Sequence, residues 1–166
     1  MLYKGSDGHD YESQTDTYRC GPVAVRNAFR RLICCEPGPA TIRRICAVCD
    51  ARPIHENGFG GTQPEAMSAA IALFWPEQPH GVGHTACAAL LRAPEHSTFI
   101  VLYSGLKPSG RRFYHYVFAW RDRRRFFVQN ELDKEEYVVW DSQLETEYLI
   151  ERIHCGVQVP QVWVVK

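Results

Sequence analysis

The chain changes character at Ser97. Before it, apolar residues recur at spacings of three and four between Pro- and Gly-containing breaks. After it, Thr98 to Tyr103, Phe113 to Trp120, Phe126 to Asn130 and Tyr137 to Trp140 are β-branched and aromatic runs separated by polar turns. Helices first and strands afterwards predict an α+β domain, with N-terminal helices packed on a C-terminal antiparallel sheet. At 166 residues, with no repeat and no low-complexity linker, a single domain spanning 1–166 is expected.

The helices read as follows. Ala24, Ala28, Leu32 and Cys35 share helical spacing, and Pro22 fits only a first helical turn, so a helix is expected from about Cys20 to Cys34. Glu36-Pro37-Gly38-Pro39 ends it, and Ile42, Ile45, Cys46 and Cys49 mark a second helix from Ala40 to Cys49. A Gly-rich polar loop follows from Asp50 to Gly61. Thr62 and Glu65 then have capping-box spacing around Pro64, opening a third helix that runs to about Trp75. A fourth is expected from Thr85 to Arg92. Asp141 is expected to cap a helix to Ile153, and Val157 to Val165 to form a last strand at an edge or bulge, because of Pro160. Met1 to Arg19 lacks periodicity, so residues 1–12 are expected to be an irregular arm.

Nineteen basic residues balance nineteen acidic ones, so no global field recruits nucleic acid, and none is expected as a partner. The Arg121 to Arg125 run reads as a solvated hairpin turn. No apolar run approaches the roughly 20 residues that span a bilayer, and Met1 to Tyr11 is too polar and acidic for a secretory signal. A cytoplasmic protein is the expectation. Seven cysteines, an odd number, read as mostly reduced thiols in a chain long enough to form a core without them. Cys34, Cys35, Cys46 and Cys49 fall on helical patterns and read as apolar positions, not zinc ligands, with Cys34, Cys46 and Cys87 expected to be buried. No metal or cofactor is expected.

Cys20 stands where loop becomes helix. Unpaired backbone N–H groups and the positive end of the helix dipole there favour a thiolate, the form that acts as a nucleophile. Gln14, six residues upstream, has a side-chain amide able to join the Cys20 N–H in holding an oxyanion. Gln14, Tyr18, Cys20, Gly21, Pro22 and Ala24 resemble the start of papain-fold cysteine peptidases, closest to the bacteriocin-processing C39 family and its C39-like relatives.

That resemblance covers about Tyr11 to Trp140. It implies that His115, at the start of a strand, is the general base. It also implies that Asn130 orients His115 and that the glycine-rich loop Gly58, Phe59, Gly60, Gly61 borders the substrate cleft. The chain lacks the aromatic after the cysteine found in the papain branch, and an obvious pro-segment, so self-processing is unsupported. If Arg121 pairs with Arg124 in the hairpin, His115 falls opposite Asn130, with both side chains toward Cys20. A slip of one residue makes Glu131 the third member instead.

The reaction implied is hydrolysis of a peptide or isopeptide bond in a protein substrate, with acyl transfer to an amine as a close variant. The rival is a catalytically silent module of the same fold, a subunit of a larger assembly such as a virion or secretion complex. On that reading Tyr114, Tyr116, Phe118 and Trp120 make one strand face available to a protein partner.

Overall fold

The computed structural model describes all residues except 56–57, 132–133 and 145–147, and among them all side chains except those of Glu131, Lys134 and His154. Four helices precede the main run of strands: α1 (Cys20–Ile33), α2 (Pro39–Cys49), α3 (Pro64–Ala72) and α4 (His84–Arg92). A six-stranded sheet is built from β3 (His80–Val82), β4 (Thr98–Leu106), β5 (Arg112–Asp122), β6 (Arg125–Glu131), β7 (Lys134–Trp140) and β10 (Gln161–Val165). Its order is β3-β10-β4-β5-β6-β7, with antiparallel pairing throughout. Two small hairpins complete the chain: β1 (Leu2–Lys4) with β2 (Asp10–Glu12), and β8 (Arg152–His154) with β9 (Val157–Val159).

Alternation along the strands divides the core in two. Ile100, Leu102, Tyr116, Phe118, Trp120, Phe127 and Trp163 face Ala24, Val25 and Ala28 of α1 and Met67, Ala70 and Ile71 of α3. Phe99, Val101, Val117, Ala119, Val128 and Val162 face Ala86, Cys87 and Leu90 of α4 and the segment bearing Leu144 and Leu149. The sheet is therefore the middle of three layers. The aromatic face of β5, expected as a docking surface, is closed by the chain's own helices, with Tyr116, Phe118 and Trp120 all buried.

Four expectations need correction. Residues 1–12 are not irregular: Tyr3 pairs with Tyr11 in a hairpin, and both aromatic side chains are buried. Asp141 begins a 3-10 turn to Gln143, Leu144 and Tyr148 have π-helical geometry, residues 145–147 of the expected helix lie outside the described residues, and β8 occupies the end of the range. The run Val157 to Val165 is broken at a cis Val159–Pro160 bond, and β10 lies inside the sheet between β3 and β4. Pro160 stands in the break, where the ladder asks for no N–H, so the strand beyond it needs no edge. Lastly, Gln63, not Thr62, precedes the first turn of α3, and no side-chain cap bond forms. Strand β3 carries no alternation to reveal it. Gly81 at its centre lets α4 approach, since a Cβ there would lie 3.0 Å from the backbone of Ala86.

One ion-paired cluster ties the N-terminal hairpin to α1. The Arg26 Nε donates to Glu12 Oε2 at 2.9 Å, and Arg30 reaches the same oxygen at 3.2 Å. Asn27, fully buried, accepts the Glu12 N–H at 2.7 Å and donates to its carbonyl at 3.0 Å. Burial alone would push the Glu12 carboxyl up, but Arg26 and Arg30 hold it below its ordinary value. A lowered folded-state value means that stability is present above the ordinary carboxylate range and lost as pH falls through the folded-state value. Removing Glu12 leaves two largely buried guanidinium groups without their shared partner. Glu12→Ala is expected to cost about 3 kcal/mol in urea denaturation at pH 7, and to lose much of that effect in acid. An effect below about 0.5 kcal/mol at pH 7 would show the cluster to be an ordinary surface pair.

Candidate active site

Cys20 is the first residue of α1, as its loop-to-helix context predicts. The helix start has no side-chain cap and no acidic residue in its first turn, so its leading N–H groups keep their positive character. The approach is fixed by Asp16, whose carboxylate accepts the N–H groups of Tyr18 and Arg19 at 3.0 and 2.8 Å. Sequence reasoning passed over Asp16; an Asp four residues ahead of a bare helix start is the signal.

The Cys20 side chain is 5% exposed and belongs to the core beneath α1. Tyr116 and Cys49 are close enough to influence one another there. Burial, then the Cys20 and Cys49 thiols, push the fully buried Tyr116 hydroxyl well above its ordinary value. Cys49 is itself pushed up to about 12, first by burial. Among the other thiols Cys87 is buried, but Cys34, Cys35 and Cys46 are exposed, which corrects the expectation that Cys34 and Cys46 are core positions. Cys34 sits in a left-handed conformation at the end of α1, beyond the apolar face that its spacing suggested. Among the described residues no group of three or more His, Cys, Asp or Glu side chains converges as a metal site.

Gln14, His115 and Asn130 are brought together. Asn130 Oδ1 accepts the Gln14 N–H at 2.8 Å, and Asn130 Nδ2 donates to Gln14 Oε1 at 3.1 Å. His115, 2% exposed, has Nε2 2.6 Å from the main-chain carbonyl of Asn130. A carbonyl only accepts, so Nε2 carries the proton and Nδ1 is the basic nitrogen. The Tyr3 hydroxyl accepts the Asn130 N–H at 2.9 Å, a contact that the N-terminal hairpin supplies and that sequence reasoning missed.

The register differs from the one expected. Asp122 pairs with Arg125 and Arg121 with Phe126, leaving a two-residue turn in which Arg123 has φ 56°. This moves β6 two residues along β5, and the ladder ends at Phe118 opposite Gln129. Asn130 then adopts φ 65°, bending β6 away from β5 and turning its carbonyl toward His115. Asn130 thus meets His115 through its backbone, while its side chain serves Gln14. The slip toward Glu131 does not occur either, since Glu131 pairs with Lys134 of β7.

The faces of β5 also bear on the nucleophile. His115 pairs with Tyr103 and packs edge-on against it at 5.9 Å, on the face that carries Val117. Cys20 sits on the other face with Tyr116. The expectation that His115 projects toward Cys20 is not met by the strand geometry. The Gln14 amide is also engaged, with Nε2 donating to the Asp16 carbonyl at 2.6 Å. In the glycine-rich loop, Phe59 is buried against Tyr114 with ring centroids 4.5 Å apart, and Gly58 and Gly60 line an open groove. Gly61, at φ 89°, lies beside the Tyr18 carbonyl.

One solved structure gives these positions a context. The fold is similar to that of the peptidase domain of Streptococcus ComA, a bi-functional ABC transporter involved in a quorum sensing pathway. The TM-score is 0.55 over 91% of this chain and 93% of that one, at 10% identity. The fold is that of a papain-like peptidase domain. No family profile and no curated protein matches the sequence. Within this papain-like domain, no helix among the described residues is long and apolar enough to cross a membrane.

Asn130 offers a direct check on the bend. Glycine keeps the left-handed backbone and alanine does not, while both lose the Gln14 contacts. Asn130→Ala is expected to be less stable than Asn130→Gly by about 1 kcal/mol, read from the thermal midpoints. Equal midpoints would mean that β6 does not need its bend.

Proposed function

We propose that the chain is a cysteine peptidase or isopeptidase of the C39-like type. The observation that carries this reading is Cys20 as the first residue of an uncapped helix, on the fold of a peptidase domain. In the reaction, His115 Nδ1 takes the Cys20 proton and Sγ adds to the scissile carbonyl. The oxyanion is held by the Cys20 N–H and Gln14 Nε2, once the latter releases the Asp16 carbonyl. Collapse expels the amine with the proton from His115, and water then hydrolyses the thioester. Asn130 keeps the productive tautomer of His115 through its main-chain carbonyl, so its side chain contributes by holding Gln14. For Nδ1 to reach Sγ, the imidazole has to pass through the opening where β6 leaves β5.

A second reading has its own observation. Cys20 is buried and His115 lies on the opposite face of β5, which favours a catalytically silent module of the same fold. The two readings separate in a cleavage assay on a denatured-protein peptide library read by mass spectrometry. Peptidase activity predicts cleavage lost by at least about a thousandfold in both Cys20→Ala and His115→Ala, with Asn130→Gly affected far less than either. Cleavage that survives Cys20→Ala, or no cleavage by the wild-type chain, would overturn the peptidase reading.

A further inference from the structure

A groove of about 620 Å³ opens beside the start of α1, lined by Thr17, Ile54, Gly58, Gly60 and the tip of the β4–β5 hairpin. Its lining includes the chain that leads into α1. Thr17 lies three residues before Cys20 in sequence, and Gly61, next to the groove-lining Gly60, sits against the Tyr18 carbonyl. Among the described residues its charge is one-sided. Lys107, Arg111 and Arg112 line it, all three are exposed, and no acidic side chain lines it among the described residues. None of the three joins an ion pair among the described residues. In a chain of zero net charge, three cations without an ion pair among the described residues, gathered on one hairpin tip, make a local positive field that the composition conceals.

The groove also has apolar walls. Ile54 is 68% exposed, and Phe113 and Tyr114 are half-buried. Paired glycines on the opposite wall allow a backbone to approach closely. Cations with apolar and aromatic walls, beside the segment that leads into α1, suit an extended peptide more than a phosphate backbone.

We propose that this groove binds acidic peptide segments, so that the substrate class is a polypeptide carrying Asp or Glu together with apolar residues near the scissile bond. The proposal rests on the peptidase reading for its consequence, but binding is measurable without turnover. Fluorescein-labelled decapeptides alternating Leu with Asp, Asn or Lys are titrated into the full Cys20→Ala chain and followed by anisotropy. The Asp peptide is expected to bind about tenfold more tightly than the Asn peptide, and the Lys peptide not at all. The preference should shrink in 0.5 M salt and vanish in Arg111→Glu/Arg112→Glu, a double change at exposed positions that spares the core.

Equal binding of the three peptides, an unchanged preference in the double variant, or tighter binding of a labelled single-stranded 20-mer DNA would overturn the proposal. Binding of the Asp peptide with no cleavage by the wild-type chain would leave the groove standing and remove the peptidase reading. Cleavage without acidic preference would do the reverse.

Discussion

Strand β5 is committed to two cores at once, and the rest of the architecture follows from that. Tyr116, Phe118 and Trp120 need the cover of α1, while Val117 and Ala119 need that of α4 and the Leu144–Leu149 segment. Neither face tolerates water, so a one-residue slip of β5 would exchange two buried sets of different size. His115 and Tyr116, neighbours in sequence, are thereby sent to opposite sides. The same alternation that stabilises the sheet separates the candidate base from the face where Cys20 lies, and the bend of β6 at Asn130 opens the only gap in the ladder near them among the described residues.

The N-terminal hairpin has a larger part than its length suggests. Glu12 is gripped by Arg26 and Arg30, Tyr3 accepts the Asn130 N–H, and Asn130 in turn holds Gln14. A residue six positions before Cys20 is therefore positioned from both ends, by a hairpin docked on α1 and by a strand of the sheet. That linkage makes the stability of the arm and the placement of the candidate oxyanion donor one physical problem.

Much of this was legible in the sequence. The helices at Cys20, Ala40, Pro64 and Thr85 and the four long strands follow from spacing and residue type, because each buries a continuous apolar face. The exceptions have specific causes. Leu2–Lys4 and Asp10–Glu12 are too short for a period; Tyr3 is held by Gln129 and Asn130, more than 100 positions away, and Glu12 by Arg26, Asn27 and Arg30 of α1. Pro160 argued for an edge, yet it stands between two strands and leaves β10 free to pair on both sides. The β5–β6 register hinged on which two residues form the turn, and no local propensity chooses between Asp122-Arg123 and Arg123-Arg124. Nor did counting charges along the chain reveal the cationic groove, since Lys107, Arg111 and Arg112 meet only where a hairpin tip faces a loop some 50 residues earlier.

The central claim is that Cys20 and His115 act as one unit despite starting from opposite faces of β5. The most direct measurement is the rate of iodoacetamide alkylation at Cys20 as a function of pH, resolved by mass spectrometry from Cys34, Cys35 and Cys46, in the wild type and in His115→Ala. The account predicts alkylation of Cys20 that falls about tenfold or more in His115→Ala, while the three exposed thiols are indifferent to the substitution. Identical Cys20 profiles in the two proteins would contradict it.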